Sequence, residues 1–350
     1  MLPYVLNRNF EIISLCDTFN SLEWVKRYYE VGDFILEAPA NIETILTLQK
    51  GNYLVREDDE MIVIIEKINI VTSASKGNFI TISGRSIESI LERRIIWNQT
   101  NSKFNETVEN FIRRLITENC ISPTNQARKI PRLKLGILKG FTETIDIQIT
   151  GKNLLTAIIE ICQAYEYGFK ITMDQDSNLV FDLYKGQNRS YEQSINSYVV
   201  FSNEFENLID TEYSYDGSNH SNVALIGGEG EGKDRKYQTI GNSEGLDRYE
   251  LFVDSKDISS NNGEIPLEEY NKLLIERGLE KLAESNFTES YSGEVETTKT
   301  YIYKKDYDLG DIVQVINEYE ISATPRIIEI IESENENGYR IVPTFGVWEV

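Results

Sequence analysis

The chain has 350 residues, 40% of them hydrophobic and 11% aromatic, which suits two or three globular domains and excludes a disordered, low-complexity chain. Its 57 acidic residues outnumber 35 basic ones, so the formal net charge is -22. Such a surface repels nucleic acid, and the sequence has no basic stripe that could release phosphate counterions. The charge therefore argues against specific nucleic-acid binding, and it suits either plain solubility or a channel through which DNA slides without sticking.

The cysteines and the first residues bear on the compartment. Cys16, Cys120 and Cys162 are odd in number and far apart, so no disulfide framework is predicted. The start, MLPYVLNRNFEII, lacks the pattern of a signal peptide, and no stretch approaches the roughly 18 apolar residues of a membrane span. We expect the protein to be made and folded in a cytoplasm, and if it later leaves the cell, we expect a route other than standard secretion.

Short strands separated by turn-forming residues are predicted from the start to about residue 97. The segments are FEIISLC, WVKRYYEVGDFILEAP, NYLVRE, MIVIIEKINIVTS and NFITISGRS. They indicate an antiparallel barrel or sandwich. A short helix is expected to follow, with Ser86 as its N-cap and Arg93 and Arg94 at the end where the helix dipole favours cations.

Two amphipathic helices and a β-hairpin are predicted between residues 98 and 200. Apolar residues recur at helical spacing from Phe104 to Ile116 and again from Leu154 to Tyr165. The alternating segment FKITMDQDSNLVFDLYKG, which follows Gly168, predicts the hairpin. We interpret this region as a compact α/β module inserted between two strand-rich regions.

Strands return after residue 200. The segments are VVFSNEFENLIDTEYSYD, NVALIGG, RYELFVD, SGEVETTKTYIY, DIVQVINEYEISATPRIIEIIES and GYRIVPTFG. One helix is expected near residues 266–285, with Pro266 in its first turn. The predicted fold is mainly β with an α+β insertion, in which two strand-rich regions, 1–97 and 201–350, flank a small α/β domain, 98–200. A duplicated antiparallel β-barrel is one hypothesis for the two outer regions.

A glycine-rich segment resembles a phosphate loop but lacks one essential residue. Residues 227–233 follow an apolar run and match G-x-x-x-x-G-K, yet Asp234 stands where a magnesium-binding hydroxyl is needed. Glu229 and Glu231 would repel phosphate, and no helical pattern follows. We therefore predict a flexible glycine-rich loop between strands.

Two further segments resemble metal or catalytic sites only in part. Asp174–Asn178 begins like a calcium loop, but Leu179 and Lys185 occupy the turn and bidentate positions, so a hairpin turn is predicted. The only histidine, His220, lies in the polar loop DGSNHSN without a second zinc ligand, and a solvated loop histidine is predicted. No aromatic-flanked carboxylate pair suggests a glycosidase. No catalytic residue, cofactor or metal ligand is therefore predicted.

Three segments resemble a known family, in order along the chain. They are GRSIESILERRIIW at residues 84–97, NVALIGGEGEGKDR followed by LDRYELFVDSKDI, and DYDLGDIVQVINEYEISATPRIIEIIES with IVPTFG. Their order and spacing resemble those of the hub proteins of siphophage and contractile phage tails, including tailocins and prophage-derived particles. The resemblance covers nearly the whole chain.

The resemblance implies a structural, non-enzymatic baseplate hub subunit with two tail-tube-like β-barrels. Three copies would form a pseudo-sixfold ring that adapts the hexameric tail tube to a trimeric spike or tail-tip complex. The implied partners are further copies of the chain, the tail tube protein, spike or fibre proteins and a tape measure protein. The implied location is the tail of a virion or phage-like particle, assembled in the bacterial host cytoplasm. Because larger relatives continue into a peptidoglycan-degrading domain and this sequence ends at TFGVWEV, any lytic activity is expected in a separate partner.

The residues that carry the resemblance are the candidate fold or ring-interface residues. They are Gly84, Arg85, Glu88, Arg93 and Arg94 in the first motif, Gly228, Gly230, Arg235, Arg248, Glu250 and Asp254 in the second, and Gly310, Asp311 and Arg326 in the third. The alternative is a role inside one subunit, with glycines in turns and Arg–Glu pairs within the chain. Two other functions stay open: a peptidoglycan- or glycan-cleaving tail-associated enzyme with an acidic cleft, and a carbohydrate-binding receptor module, which the 20 Tyr would suit.

Overall fold

The computed structural model describes residues 1–75, 77–295, 300–320 and 322–346, with the backbone alone at residues 209–211, 262 and 288–295. Parts of two predicted strand segments, at residues 296–299 and 321, lie outside the described residues. The helices are α1 Ile42–Thr47, α2 Val108–Ile116, α3 Leu154–Ala164 and α4 Leu267–Glu284, with 3-10 helices at Ile87–Arg93, Gln126–Arg128, Gly232–Asp234, Gly245–Asp247 and Asn261–Gly263 and a π-helical turn at Thr117–Ile121. The strands are β1 Pro3–Leu6, β2 Ile12–Leu15, β3 Ser21–Arg27, β4 Asp33–Pro39, β5 Tyr53–Arg56, β6 Asp59–Ile64, β7 Lys67–Ser73, β8 Gly77–Arg85, β9 Thr100–Asn101, β10 Leu133–Leu135, β11 Gln148–Ile149, β12 Gly168–Met173, β13 Leu179–Tyr184, β14 Val200–Ser202, β15 Leu208–Asp216, β16 Val223–Gly227, β17 Tyr237–Ile240, β18 Glu250–Asp254, β19 Thr288–Val295, β20 Gln314–Ile316, β21 Ser322–Ala323, β22 Ile327–Asn335 and β23 Gly338–Phe345.

An eight-stranded antiparallel sheet joins the two ends of the chain. Its strand order is β15-β19-β23-β22-β3-β4-β8-β7, so each outer region contributes four strands. The two groups meet where β22 pairs with β3, from Glu329 opposite Arg27 to Asn335 opposite Ser21. We call this pairing the central seam. The two outer regions of the chain, 1–97 and 201–350, therefore share one sheet.

The strand order repeats within this sheet. In chain order, the first half places its strands first, second, fourth and third, as β3-β4-β8-β7. The second half has the same order, β15-β19-β23-β22, and reads in the same direction across the sheet. Every neighbouring pair is antiparallel. The two halves are thus topological copies placed head to tail, which a residue-level comparison of the sequence does not reveal.

The other sheets are small, and none in the described part of the chain closes into a barrel. They are β2-β1-β5-β6, β10-β13-β12, β11-β9, β14-β20-β21 and β17-β16-β18. The family resemblance implies two separate barrels. The mainly β composition is confirmed, but β3 and β22 pair with each other across the two outer regions, so the large sheet is continuous and open-ended.

The region between residues 98 and 200 contains the predicted helices and hairpin. Strands β12 and β13 pair in antiparallel register, and the Asp174 carboxylate closes their turn by accepting the Asp176 and Asn178 amides, so the hairpin turn is confirmed. Helix α2 begins later than predicted because the Thr107 side chain caps it, and Phe104 is 93% exposed. Helices α2 and α3 bury their apolar faces in a core shared with β12 and β13.

Local chemistry also explains the remaining helices. The segment after Ser86 is a 3-10 helix, and the Ser86 hydroxyl accepts the Gly32 amide instead of capping the helix as predicted. Pro266 directly precedes α4, which packs Tyr270 and Leu274 against β16 and β18. None of the helices in the described part of the chain has the length and apolar character that a membrane crossing needs.

Candidate assembly site

The eight-stranded sheet has two open edges, at β7 and β15. Within the described residues, β7 pairs only with β8 and β15 only with β19. An edge strand presents backbone N–H and C=O groups to which another strand can bind. The two edges are therefore the places where the sheet can be extended.

Both edges expose apolar side chains on the same face. Ile68 and Ile70 of β7 lie opposite Ile82 and Ile80 of β8, which are buried, and are themselves 38% and 46% exposed. On β15, Tyr213 and Tyr215 are 43% and 59% exposed. The register through β19 places Tyr213 on the face of the buried Phe345. Residues paired across antiparallel strands share a face, so both edges present apolar surface beside the core.

The central seam, in contrast to the two edges, contains buried ion pairs that connect the two halves of the chain. Lys26 of β3 lies 2.5 Å from Asp59 and 2.6 Å from Glu332 of β22. Arg56 lies 3.0 Å from the same Glu332, and the Tyr339 hydroxyl donates to it at 2.6 Å. These side chains join the two halves of the sheet below its surface.

The pKa values of the seam follow from this arrangement. Burial alone would raise the pKa of Glu332, but the charges of Lys26 and Arg56 outweigh burial and hold it below its ordinary value. Asp59 behaves in the same way, because burial is outweighed by Lys26 and Lys304, and its pKa lies well below the ordinary range. Both carboxylates are therefore ionised in the folded protein.

Two residues of the first motif are fixed by close packing. A Cβ atom at Gly84 would lie 1.8 Å from the Ile64 carbonyl oxygen, so only glycine fits there. The Glu88 carboxylate is buried and accepts the Ile171 amide at 2.6 Å, while its second oxygen has no hydrogen-bond partner among the described residues. Burial raises the pKa of Glu88. Glu88 thus connects the 3-10 helix to the β12–β13 hairpin.

The arginines of the first motif have different surroundings. Arg85 binds Glu66 at 3.0 Å and Glu92 at 2.6 Å within the subunit. Arg93 and Arg94 lie at the end of the 3-10 helix and line a cleft on another side of it. The predicted helix-end position of this pair is confirmed.

The second motif gathers at the small sheet β17-β16-β18. The glycine-rich segment links β16 to β17, as predicted, and Gly230 has a φ of +98°. At Gly228 a Cβ atom would lie 2.3 Å from the Tyr270 hydroxyl. The Arg235 guanidinium binds two carbonyl oxygens of this loop and forms an ion pair with Asp254. These residues shape one end of the sheet.

Arg248 and Glu250 form an exposed ion pair at 2.6 Å at the start of β18. The neighbouring His220 does not have the predicted solvated position. Its ring is half-buried and packs 5.4 Å from the Tyr249 ring and 5.5 Å from the Phe287 ring, measured between centroids. The polar loop that carries it folds back onto these aromatic rings.

The third motif surrounds Tyr28, a buried residue just after β3. Gly310 has a φ of +93°, and a Cβ atom there would lie 2.2 Å from the Tyr28 ring. Arg326 donates to the Gly310 carbonyl at 2.8 Å, with its guanidinium 5.4 Å from the Tyr28 ring centroid. Asp311 forms an ion pair with Arg189 at 2.7 Å. These contacts join the middle region to the second half of the chain.

Glu88 of the first motif and Asp311 of the third line one cleft, whereas the second motif lies apart from it at the sheet β17-β16-β18. The motifs do not include the charged residues of the central seam. A signal for them exists. Lys26 follows Leu22 and Trp24 at a spacing of two, and Glu332 follows Ile330, so each charged residue stands at a core-facing position of its strand. A charge at such a position indicates a buried partner of opposite sign.

A cleft of about 660 Å³ lies where the first strands, the β12–β13 hairpin and residues 303–311 meet. Side chains of both charges line it, and several pair across it, including Lys170 with Glu60 at 2.5 Å and Lys304 with Asp59 at 2.7 Å. In the described part of the chain, no group of three or more His, Cys, Asp or Glu residues could hold a metal ion.

The architecture is similar to that of several solved structures. The structure is similar to a tail protein from Neisseria meningitidis MC58, with a TM-score of 0.60, 14% identity, and coverage of 99% of this chain and 96% of that one. It is also similar to the 43 kDa tail protein of prophage MuSo2 from Shewanella oneidensis, with a TM-score of 0.58, 15% identity, and coverage of 99% and 98%. Prophage tail protein gp18 from Listeria monocytogenes EGD-e gives a TM-score of 0.54, 12% identity, and coverage of 98% and 94%.

Sequence comparisons identify the family of the chain. A search of curated protein sequences gave no match. The family model described as Siphovirus ReqiPepy6 Gp37-like protein matches residues 2–347. The chain therefore belongs to the family of Siphovirus ReqiPepy6 Gp37-like proteins, and it shares the fold of phage tail proteins.

Proposed function

We propose that the chain is a structural hub subunit of a phage or phage-like tail, which assembles as a homotrimeric, pseudo-sixfold ring between the tail tube and the spike or tail-tip complex. Family membership and the likeness to proteins described as tail proteins support the tail assignment. The observation that carries the ring is the head-to-tail repeat of strand order, with open edges at β7 and β15.

The repeat suggests how copies join. Inside one chain, the third strand of the second half, β22, pairs with the first strand of the first half, β3. The corresponding strands at the two open edges are β7, the third strand of the first half, and β15, the first strand of the second half. A rotation that repeats the central seam would therefore pair β7 of one copy with β15 of the next. Because the sheet has eight alternating strands, this pairing is antiparallel like every other.

Side chains favour the same junction. Ile68 and Ile70 would meet Tyr213 and Tyr215 on the core-side face, and their exposed apolar surface would be removed from water. Three copies, each with two four-stranded halves, would present six similar units to a hexameric tube while keeping threefold symmetry for a spike. The function in this proposal is geometric and requires no catalytic residue.

The net charge and the implied partners complete the proposal. A charge of -22 suits a channel that DNA crosses without binding. In this proposal the partners are the tail tube protein, the spike or fibre proteins and the tape measure protein, and domains 1–97, 98–200 and 201–350 act as two tube-like units around an insertion. The candidate residues at the three motifs would support the subunit shape on which the ring depends.

Cross-linking tests the junction directly. In the central seam the start of β22 faces the end of β3, so the start of β7 should face the end of β15 in the next copy. The variant I68C/Y215C should form disulfide-linked trimers on oxidation, whereas T72C/Y215C, with its cysteines at opposite ends of the strands, should not. Electron microscopy of the same sample should show threefold rings.

A charge on the edge gives a second test. Ile70→Lys should prevent ring formation, because it places a charge on the core-side face of β7, where the junction would bury apolar side chains. Asn69→Lys adds the same charge to the other face of β7 and should leave assembly intact. The oligomeric mass in solution is the measurement. A chain that stays monomeric, both alone and with the tube and spike proteins of its particle, contradicts the proposal.

A further inference from the structure

An arginine cleft lies beside the 3-10 helix, away from the central seam. Its volume is about 380 Å³, and four of its lining residues are arginines while none is acidic. The lining residues are Arg8, Asn9, Phe10, Tyr53, Ile87, Ile90, Arg93, Arg94, Ile130, Pro131, Arg132 and Leu179. A cleft whose charged residues are all basic is unexpected in a chain of net charge -22.

These four arginines differ from most others in the chain. Arg85, Arg235, Arg248, Arg326 and several more form ion pairs with carboxylates. Within the described residues, none of the four arginines of the cleft has a carboxylate within ion-pair distance, although 57 acidic residues are present in the chain. Their positive charge is therefore available to a group from outside.

The arginines that make hydrogen bonds use only backbone carbonyls. Arg8 donates to Lys50 at 3.3 Å and Arg132 to Ser177 at 3.3 Å. Arg94 donates to the carbonyls of Arg93 and Arg128 at 2.9 Å and 2.7 Å. These bonds hold the side chains in place and leave other N–H groups of each guanidinium, which has five donors, for a ligand.

The rest of the cleft is apolar and well formed. The Phe10 and Tyr53 rings stack with centroids 4.5 Å apart and planes 13° apart, and the Arg132 guanidinium lies 6.0 Å from the Phe10 ring centroid. Ile87, Ile90 and Leu179, all buried, contribute the floor. Phe10 and Arg132 both have positive φ angles, +66° and +64°, which bulky side chains rarely adopt. Such strain concentrates at binding sites.

We propose that the arginine cleft binds an acidic segment of a partner protein, with carboxylates on the guanidinium groups and an apolar side chain against the floor. Guanidinium groups bind carboxylates through paired hydrogen bonds, and the mixed lining matches a peptide better than a single oxyanion. A nucleic acid would extend beyond the cleft over a strongly acidic surface, whereas a short segment would not. This inference does not depend on the ring, since the cleft lies within one subunit.

The probe is a fluorescein-labelled synthetic peptide, Glu-Glu-Leu-Glu-Glu, with Gln-Gln-Leu-Gln-Gln as its uncharged counterpart. Fluorescence anisotropy with the full chain should show saturable binding of the glutamate peptide and at least about tenfold weaker binding of the glutamine peptide. Raising the salt concentration should weaken the binding. The double variant Arg93→Glu with Arg132→Glu should abolish it.

The matched control is Arg248→Glu, which removes an exposed arginine of the small sheet β17-β16-β18 and should bind the peptide like the wild type. Circular dichroism should show that all variants are folded. The proposal is overturned if the glutamate peptide does not bind, if the cleft variant binds it as well as the wild type, or if a labelled single-stranded oligonucleotide or inorganic phosphate binds the cleft while the peptide does not. The readout is the same for a monomer and a ring, so it is independent of the trimer test.

Discussion

Replacing Glu332 by glutamine should destabilise the protein by about 3 kcal/mol. The carboxylate is 2% exposed and bridges Lys26 and Arg56 across the central seam. Breaking a buried ion pair by removing one partner costs about 3–5 kcal/mol, because it leaves a buried charge uncompensated. The lower figure applies here, since Lys26 keeps Asp59 and Arg56 keeps Asp58.

Urea unfolding followed by tryptophan fluorescence measures this change. Trp24 lies in the same seam, with the Arg56 guanidinium 5.5 Å from its ring centroid, so its emission reports on the region. Glu250→Gln is the control, because it breaks the exposed pair with Arg248 and should cost less than about 1 kcal/mol. Equal losses for the two variants would refute the argument that burial gives the seam its strength.

The pH dependence of this stability difference tests the direction of the Glu332 pKa shift. The folded-state pKa of Glu332 is lowered, so its contribution to stability is present above the unfolded pKa and is lost as the pH falls through the folded pKa. The difference between wild type and Glu332→Gln should therefore be largest near neutral pH and shrink in acid. A difference that grows in acid would contradict this assignment.

Two further predictions concern other parts of the fold. Gly310→Ala should lower the free energy of unfolding by about 3 kcal/mol or more, because its Cβ would overlap the Tyr28 ring. Gly338→Ala, at a similar φ but with open space around the Cβ position, should lower it by only about 1–2 kcal/mol. Thermal unfolding of both variants measures the difference. Burial raises the pKa of Glu280 from 4.5 to about 7, so the folded state holds a proton that the unfolded state releases. The stability of the wild type relative to Glu280→Gln should consequently fall by about 3 kcal/mol between pH 4.5 and pH 7, and a flat difference in urea titrations would contradict it.

Local patterns in the sequence predict the helices, strands and turns well, but they predict the pairing of distant strands poorly. The β12–β13 hairpin, helix α3 and the glycine-rich loop follow from spacing and turn residues that lie close together in the chain. The pairing of β3 with β22 does not, because nothing in either strand specifies a partner about 300 residues away. That pairing is the reason why one continuous sheet is found where two separate barrels were expected.

Side-chain environments show the same division. Arg235 and Gly310 make close contacts within the subunit, and the first motif groups Glu88 with Arg93, although Glu88 is buried and Arg93 lines an open cleft. Charge and residue type are visible in a sequence, whereas burial depends on which distant segment covers a residue. His220 is a further case, since Phe287 comes from the far side of α4.

The central seam also determines when the protein can finish folding. Strand β3 emerges early from the ribosome, whereas its partner β22 begins about 300 residues later. At about 5–20 residues per second, synthesis of that interval takes roughly 15–60 s, during which one side of β3 has no partner strand. Any early interaction between β3 strands of neighbouring nascent chains would compete with the native pairing. The eight-stranded sheet therefore cannot form until the last strands of the chain have been made.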